Sequence, residues 1–155
     1  MPPLPRPAPP PVSLGRQIQL TAKVVGERFT QAQDRAGLGH PLYLALDQLV
    51  REDGLRQCDL AARLRLESPT LTDHLDHLVE RGLVVRGADA ADRRAIRVRI
   101  TPRGREAHAV GAAVARRLDA ELAGVLTGAE AALVTTLLAQ VEAGARRPDS
   151  REVAR

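Results

Sequence analysis

Aromatic side chains are almost absent from this chain of 155 residues, which contains one phenylalanine, one tyrosine and no tryptophan. Proteins that bind single-stranded nucleic acid usually stack the bases on aromatic rings, so the sequence argues against that class of function. A hydrophobic core must instead be built from leucine, valine, isoleucine and alanine. With a hydrophobic content of 44%, the chain is long and apolar enough for one folded domain.

Cysteine and lysine are each present once, as Cys58 and Lys23. A single cysteine excludes an intrachain disulfide framework and a CxxC motif. We interpret Cys58, near the start of a short predicted helix, as a structural thiol rather than a redox sensor. The basic residues are therefore almost all arginine, and the net charge of +4 is compatible with a polyanionic partner.

Catalytic motifs and long apolar runs are also missing. The sequence has no glycine-rich phosphate loop, HExxH motif, nucleophile elbow or plausible catalytic triad, so we predict neither an enzyme nor a bound cofactor. No run approaches the roughly 18 apolar residues of a membrane span, so we expect a soluble cytoplasmic protein without membrane contact. The proline-rich segment 1–12 is predicted to be disordered and residues 148–155 to form a flexible tail, which leaves 13–147 as a single domain.

Two long amphipathic patterns flank the middle of the domain, at 13–36 and 103–147. Apolar residues recur there at steps of three and four, which predicts helices. Ser13 is a candidate cap for the first helix, and Thr127 with Glu130 forms a capping box for the last. These helices carry more apolar surface than the lobe between them, 41–101, can cover. We therefore predict that they form the interface of a homodimer.

A short helix is predicted from Ser68 to Arg81, with Ser68 as its cap and Pro69 as its first helical residue. Gly82 is suited to end it. One face is apolar and predicted to be buried, through Leu71, Leu75, Leu78 and Val79. The opposite face presents Pro69, Thr70, Asp73, His77 and Glu80.

An arginine-rich hairpin is predicted to follow this helix. Its second strand alternates, with Ile96, Val98 and Ile100 facing inward and Arg97 and Arg99 facing outward. Eight arginines lie between 81 and 105, against only two aspartates, Asp89 and Asp92. Such clustered charge repels itself unless a polyanion relieves it. The arginines are Arg81, Arg86, Arg93, Arg94, Arg97, Arg99, Arg103 and Arg105.

The segment from Leu55 to Gly104 resembles the winged-helix core of the MarR (multiple antibiotic resistance regulator) family. One match is Asp92-Arg93-Arg94-Ala95, followed by alternating strand residues and Thr101-Pro102-x-Gly104, which looks like the family's wing signature. The run Ser68-Pro69-Thr70-Leu71, with the Arg81-Gly82 pair, resembles its recognition helix. The resemblance implies a mainly α fold with a small β-wing (α+β), in which a winged helix-turn-helix lies between long N- and C-terminal dimerisation helices.

The same resemblance implies a regulator of transcription that binds duplex DNA. A homodimer would occupy a pseudo-palindromic operator, with its recognition helices about one helical turn apart. It would act as a repressor that is released by a small-molecule effector, which in the family is often an aromatic acid bound between the dimerisation helices and the DNA-binding lobe. His40 and Tyr43 are the candidate ligand-binding residues.

Individual DNA contacts follow from the resemblance. Arg94 would enter the minor groove, Asp92 would hold its guanidinium, and Arg93, Arg97 and Arg99 would meet phosphates. Base recognition would fall to the helix, where the chain departs from the family by placing Asp73 and His77 at positions that are basic in many members. The candidate residues of that helix are Ser68, Pro69, Thr70, Thr72, Asp73 and His77.

Two alternatives remain open at this level. The acidic outer face of the helix is compatible with a winged-helix module that binds another protein. His74 and His77 lie one turn apart beside Asp73 and Asp76, which is compatible with a regulator that senses a divalent metal. Because these residues lie on the face that would enter the major groove, our prediction includes no metal site.

Overall fold

A computed structural model describes residues 13–89, 92 and 94–146. Both predicted tails and Arg93 lie outside the described residues. Within the described ranges, six helices and three short strands confirm the predicted mainly α fold with a β-wing. They are α1 (Leu14–Arg35), α2 (His40–Arg51), β1 (Leu55–Arg56), α3 (Gln57–Leu64), α4 (Ser68–Glu80), β2 (Val84–Ala88), β3 (Ile96–Ile100), α5 (Pro102–Ala123) and α6 (Gly128–Ala145). The chain divides into two compact units, one ending at Ala115 and the other beginning at Arg116.

Leucines of α2, α3 and α4 form the centre of the first unit. On α4 the predicted burial of Leu71, Leu75 and Leu78 is confirmed, but the predicted burial of Val79 is wrong, since it is 41% exposed. At about 100° per residue, Leu71 and Leu78 lie on the same side of Leu75, whereas Val79 lies on the other. The fully buried leucines are Leu46, Leu49, Leu60, Leu71, Leu75 and Leu78.

Helix starts follow the predicted capping chemistry with one correction. The Ser13 hydroxyl accepts a bond from the Arg16 amide, and the capping box of Thr127 and Glu130 is formed in full. Ser68, however, is the first residue of α4, and the capping position belongs to Glu67, whose side chain makes no capping bond. Proline is tolerated anywhere in the first turn, so Pro69 does not fix the boundary to one residue.

The three strands of the described residues form an antiparallel sheet in the order β1-β3-β2. Leu55 pairs with Val98, and Val84 pairs with Ile100, so these side chains share the buried face. Ile96 was expected on the same inner face but is 45% exposed. It pairs with Ala88 at the end of the hairpin that leads into the loop, beyond the part that the helices cover.

The hairpin is fastened at its base by side chains from neighbouring segments. Asp53 Oδ1 accepts bonds from the amides of Gly54 and Ile100, both at 2.9 Å. The Thr101 hydroxyl donates to the Gly82 carbonyl at 2.8 Å and accepts a bond from the Gly104 amide, which caps α5. The end of α4, the last strand and the start of α5 therefore meet at one point.

The second unit contains α6, along which no described residue is buried. Its apolar side chains are exposed, namely Leu133, Val134, Leu137, Leu138 and Val141. Among the described helices, none alone is long and apolar enough to cross a membrane, although α5 and α6 meet that criterion together as a bent pair.

Gly104 lies in the first turn of α5, close to Leu83, the residue that precedes β2. A Cβ atom at Gly104 would lie 2.0 Å from the Leu83 carbonyl oxygen. We expect Gly104→Ala to lower the free energy of unfolding by about 1–3 kcal/mol, because backbone must move to admit the methyl group. Urea denaturation measures the change. Gly26→Ala is the matched control, since a Cβ at that helical position meets nothing within 4 Å, and it should stabilise the protein or leave it unchanged. Equal stability of the Gly104 variant and wild type would contradict the close approach.

Candidate nucleic-acid interface

The helices α3 and α4 form a helix-turn-helix whose turn is set by Arg65. This residue has a positive φ of 55°, the only one among the described non-glycine residues. Its amide and that of Leu66 bond to carbonyls in the last turn of α3. The chain therefore reverses sharply between the two helices.

A clasp between the helices fixes how far α4 is rotated. Gln57 Nε2 on α3 donates to the Thr72 hydroxyl at 2.9 Å, and that hydroxyl donates to the Ser68 carbonyl at 2.9 Å. Thr72, a sequence candidate for base contact, is therefore half-buried and engaged within the protein. Sequence reasoning missed Gln57, which holds Thr72 in place.

The outer face of α4 is exposed where it was expected to be, through Ser68, Pro69, Thr70, Asp73 and His77. Its neighbour Asp76 is not free, because Arg86 Nη1 on β2 bonds to its carboxylate at 2.6 Å. Arg86 Nη2 also donates to the Thr72 carbonyl at 3.0 Å, which joins the hairpin to the helix. Arg86 pairs with Val98 in the strand register and therefore lies on the inward face of the hairpin. A charged residue at an inward position needs a buried partner, and this was the signal in the sequence that Arg86 bonds within the protein.

The tip of the hairpin is shaped by Asp92. Its carboxylate accepts a bond from the Arg94 backbone amide at 3.0 Å, and its carbonyl accepts one from the Ala95 amide at 2.9 Å. The expectation was that Asp92 would hold the Arg94 guanidinium. The Asp92 carboxylate instead fixes the backbone of Arg94, and Arg94 itself is exposed.

The base of the hairpin holds a buried carboxylate between two arginines. Asp89 is 2% exposed, and its Oδ2 accepts bonds from Arg56 Nε and Arg97 Nε, both at 2.9 Å. Arg97 Nη1 also donates to the Gly54 carbonyl at 2.6 Å. The hydrogen bond and charge of Asp89 raise the pKa of Arg56. Arg97, expected to meet phosphates, is thus partly engaged, whereas Arg99 on the next outward position is exposed.

A cleft of about 390 Å³ lies between the hairpin tip and the helix-turn-helix. It gathers two guanidinium-bearing residues, Arg56 and Arg94, near the first residues of α3 and α4. Helix N-termini carry partial positive charge and unpaired amides, so the cleft favours anions such as phosphate. Its lining consists of Arg56, Gln57, Cys58, Ser68, Asp92, Arg94, Ala95 and Ile96.

Comparison with known proteins agrees with this geometry. The MarR family profile matches residues 38–96, which contain α2 to β2 and the whole helix-turn-helix. Residues 38–96 of this chain are therefore similar to the MarR family. A curated relative, the uncharacterized HTH-type transcriptional regulator YdgJ of Bacillus subtilis (strain 168), is 32% identical over 90 residues, covering 58% of this chain and 53% of its own. The chain thus spans about half the length of the curated relatives it matches.

Solved structures extend the likeness beyond the residues that match the family profile. The transcriptional repressor CouR, bound to a 23-mer DNA duplex, superposes with a TM-score of 0.78 at 26% identity, covering 84% of this chain and 92% of that one. The PcaV transcriptional regulator of Streptomyces coelicolor, in complex with its natural ligand, gives a TM-score of 0.73 at 24% identity, covering 88% and 99%. The MarR family consists of transcriptional regulators and not of enzymes.

The histidines of α4 do not converge on one point. Within the described ranges, no three His, Cys, Asp or Glu side chains come together as a metal-binding group. His74 is half-buried with an unpartnered Nδ1 atom, whereas His77 is exposed with its ring 3.8 Å from Glu80. The two rings thus occupy different environments although they lie one turn apart.

The two candidate ligand residues meet in a ring stack that joins α1, α2 and α5. His40 lies between Phe29 and Tyr43, with ring centroids 5.7 and 6.3 Å away, and Tyr43 stacks on His108 at 5.6 Å. His108 is half-buried, and its Nε2 atom lies 3.0 Å from Asp47 Oδ1, which gives the ring a polar partner there. We call these five residues the ring cluster. His108 and Asp47 were not among the sequence candidates, because nothing local in the sequence links α5 to α2.

His40 couples the ring cluster to pH. Burial lowers the pKa of His40 below its ordinary value of 6.5, and Asp34 opposes this shift in part. Because the folded protein binds this proton less tightly than the unfolded chain, the contribution is fully present above pH 6.5 and is lost as pH falls from there through the lower pKa of His40 in the folded protein. We expect the free energy of unfolding to drop between pH 7.5 and 5.5, and to drop less in His40→Gln. Urea titrations of both proteins measure the difference, and identical pH profiles would contradict it.

Proposed function

We propose that this protein is a DNA-binding transcriptional regulator of the MarR family that acts as a homodimer on a pseudo-palindromic operator. One observation carries the proposal: Ser68 at the start of α4 and Arg94 at the hairpin tip line the same cationic cleft. Recognition helix and wing therefore belong to a single surface. A duplex presents phosphates and two grooves to such a surface. An exposed helix face and a neighbouring wing arginine are the features that would contact them.

Each part of this surface has a distinct role. The cleft would receive a backbone phosphate between Arg56 and Arg94, and Arg94 would extend into the minor groove, where narrow A/T-rich segments concentrate negative potential. Arg93 and Arg99 would add phosphate contacts, which set register and salt dependence but not sequence choice. Sequence choice would fall to the outer face of α4, where Asp73 can accept a bond from cytosine N4 and His77 can donate one. The duplex-bound structure of CouR supports this arrangement.

The homodimer is supported by the uncovered apolar side chains of the long helices. On α1 the side chains of Leu14, Leu20 and Val24 are 67%, 47% and 59% exposed. On α6 the apolar face of Leu133, Leu137 and Val141 is exposed in the same way. Exposed apolar side chains that cluster on a helix favour an interaction site in soluble proteins. A symmetric partner would cover the same patches on both protomers and present two recognition helices to one duplex.

Regulation would take the form of repression that a small molecule, such as an aromatic acid, relieves. The ring cluster offers flat rings, a histidine with a free Nδ1 atom in His40 and a carboxylate-paired histidine in His108. PcaV, which shares this fold, was solved with its natural ligand. A ligand needs only to favour a half-site spacing that mismatches the helical repeat of DNA to release the operator. The cytoplasm is the expected location for such a regulator.

Arg94→Ala tests the DNA-binding surface. We expect this variant to bind a duplex from the upstream region of its own gene with a free energy weaker by about 1–3 kcal/mol, and to lose preference for A/T-rich flanks. Mobility-shift titrations at several salt concentrations measure both quantities. Wild-type affinity should fall steeply as salt is added, because bound phosphates release counterions.

Arg35→Ala is the charge-matched control, since Arg35 is exposed at the end of α1. It should bind the operator as wild type does. Unchanged affinity of Arg94→Ala would remove the wing from the interface. Failure of the wild-type protein to shift any upstream duplex at low salt would favour the alternative, a protein-binding module presenting the acidic face of α4.

Leu137→Glu tests the dimer. A carboxylate placed in the uncovered apolar face of α6 should resist burial against a partner, because an unpaired buried charge is costly. We expect sedimentation equilibrium to show a shift from dimer to monomer and mobility-shift assays to show a parallel loss of operator binding. Ala139→Glu is the control, because this residue lies on the opposite side of α6, about 200° away on the helical wheel. A Leu137→Glu protein that stays dimeric would contradict the proposed interface.

A further inference from the structure

We propose that Asp89 is a positioning residue that sets the balance between operator binding and sequence-independent binding. It does so by neutralising Arg56 and Arg97, two cations that would otherwise attract any phosphate backbone. This inference rests on the proposed function of DNA binding and assigns to it a specificity-determining residue outside the recognition helix.

The geometry that supports this role is a shared carboxylate oxygen. Arg56 on β1 and Arg97 on β3 are direct partners in the strand register, and both place Nε at 2.9 Å from Asp89 Oδ2. The Asp89 side chain is 3% exposed, while each arginine side chain remains 37% exposed. The carboxylate is therefore buried beneath two guanidinium groups that still face solvent.

The electrostatic consequence is that the Asp89 carboxylate offsets part of the positive charge at the base of the wing. The three side chains together carry a net charge of about +1, and they would carry about +2 if the carboxylate were neutral. Both arginines lie on the same face of the sheet. Arg56 also lines the cleft proposed for a phosphate. Affinity from phosphates alone is shared by all sequences, so extra free cations raise random binding without improving discrimination.

Asp89 also fixes the position of the wing. Its amide bonds to the Ala95 carbonyl across the loop, while Arg97 Nη1 reaches the Gly54 carbonyl at 2.6 Å. The same carboxylate thus connects the hairpin loop, β3 and the β1 segment. If these contacts are weakened, the hairpin should be held less firmly relative to β1. Arg94 would then be less well positioned to enter a groove of the duplex.

Asp89→Asn is the direct test, with operator and random duplexes compared by mobility shift across salt concentrations. We expect affinity for random duplex to rise several-fold. The slope of the logarithm of the binding constant against the logarithm of salt concentration should steepen by about 0.9 for each guanidinium that reaches a phosphate. The ratio of operator to random affinity should fall about tenfold or more. Glu52→Gln, an equal charge change at an exposed residue whose partner Arg63 does not line the cleft, should leave that ratio unchanged.

Two further variants separate charge from position. Adding Arg56→Gln to Asp89→Asn restores the wild-type net charge, so random binding should return toward wild type while the ratio stays low. Asp89→Glu keeps the charge but displaces it by one methylene, so it should lower the ratio with a wild-type salt slope. It also provides the test if Asp89→Asn fails to fold, as judged by circular dichroism.

The outcomes distinguish this inference from the proposed function. If wild-type protein binds no duplex, the proposed function fails and Asp89 has no such role. If wild type binds its operator but a folded Asp89→Asn or Asp89→Glu protein keeps the wild-type ratio, the inference about Asp89 is overturned and DNA binding stands. A steeper salt slope in Asp89→Glu would likewise contradict the separation of charge from position.

Discussion

The hydrophobic cluster that contains Val98 and the leucines of α2, α3 and α4 is the constraint on which the interface depends. Val98 lies at the centre of the middle strand and is fully buried, as are Leu60 on α3 and Leu75 on α4. Protein interiors are densely packed, so the sheet cannot slide over these helices without opening voids. The hydrophobic layer therefore sets where the hairpin emerges, and polar contacts such as Arg86 with Asp76 hold it there.

Charge on this surface is arranged so that few arginines are fully available. Arg56 and Arg97 share Asp89, and Arg86 is turned inward to the helix. Arg94 and Arg99 remain exposed on the hairpin. Of the arginines between 81 and 105 that the structure describes, Arg86 and Arg97 are thus partly engaged, so the number of arginines overstates the cationic character of the wing. In a DNA-binding protein this restraint is useful, because discrimination between sites suffers when attraction to phosphate dominates.

The end of the recognition helix is also tied to the ring cluster region. Arg81 Nη2 donates to the Gly37 carbonyl at 2.8 Å, in the turn between α1 and α2. Gly37 has a φ of +77°, which permits that turn without the strain a side chain would add. His40, three residues later, belongs to the ring cluster. A short covalent and hydrogen-bonded path therefore connects the candidate ligand residues with the helix that would contact bases.

The sequence by itself determined the order of the elements, the helix-turn-helix, the register of apolar residues in the hairpin and the resemblance to the MarR family. Those features follow from local periodicity and turn chemistry, which act within a few residues. Only the tertiary structure decided which arginines are free, because Asp89 meets Arg56 across 33 residues and His108 meets Asp47 across 61. Side-chain pairing over such separations depends on how the elements pack, and one-dimensional patterns of polarity carry no information about it.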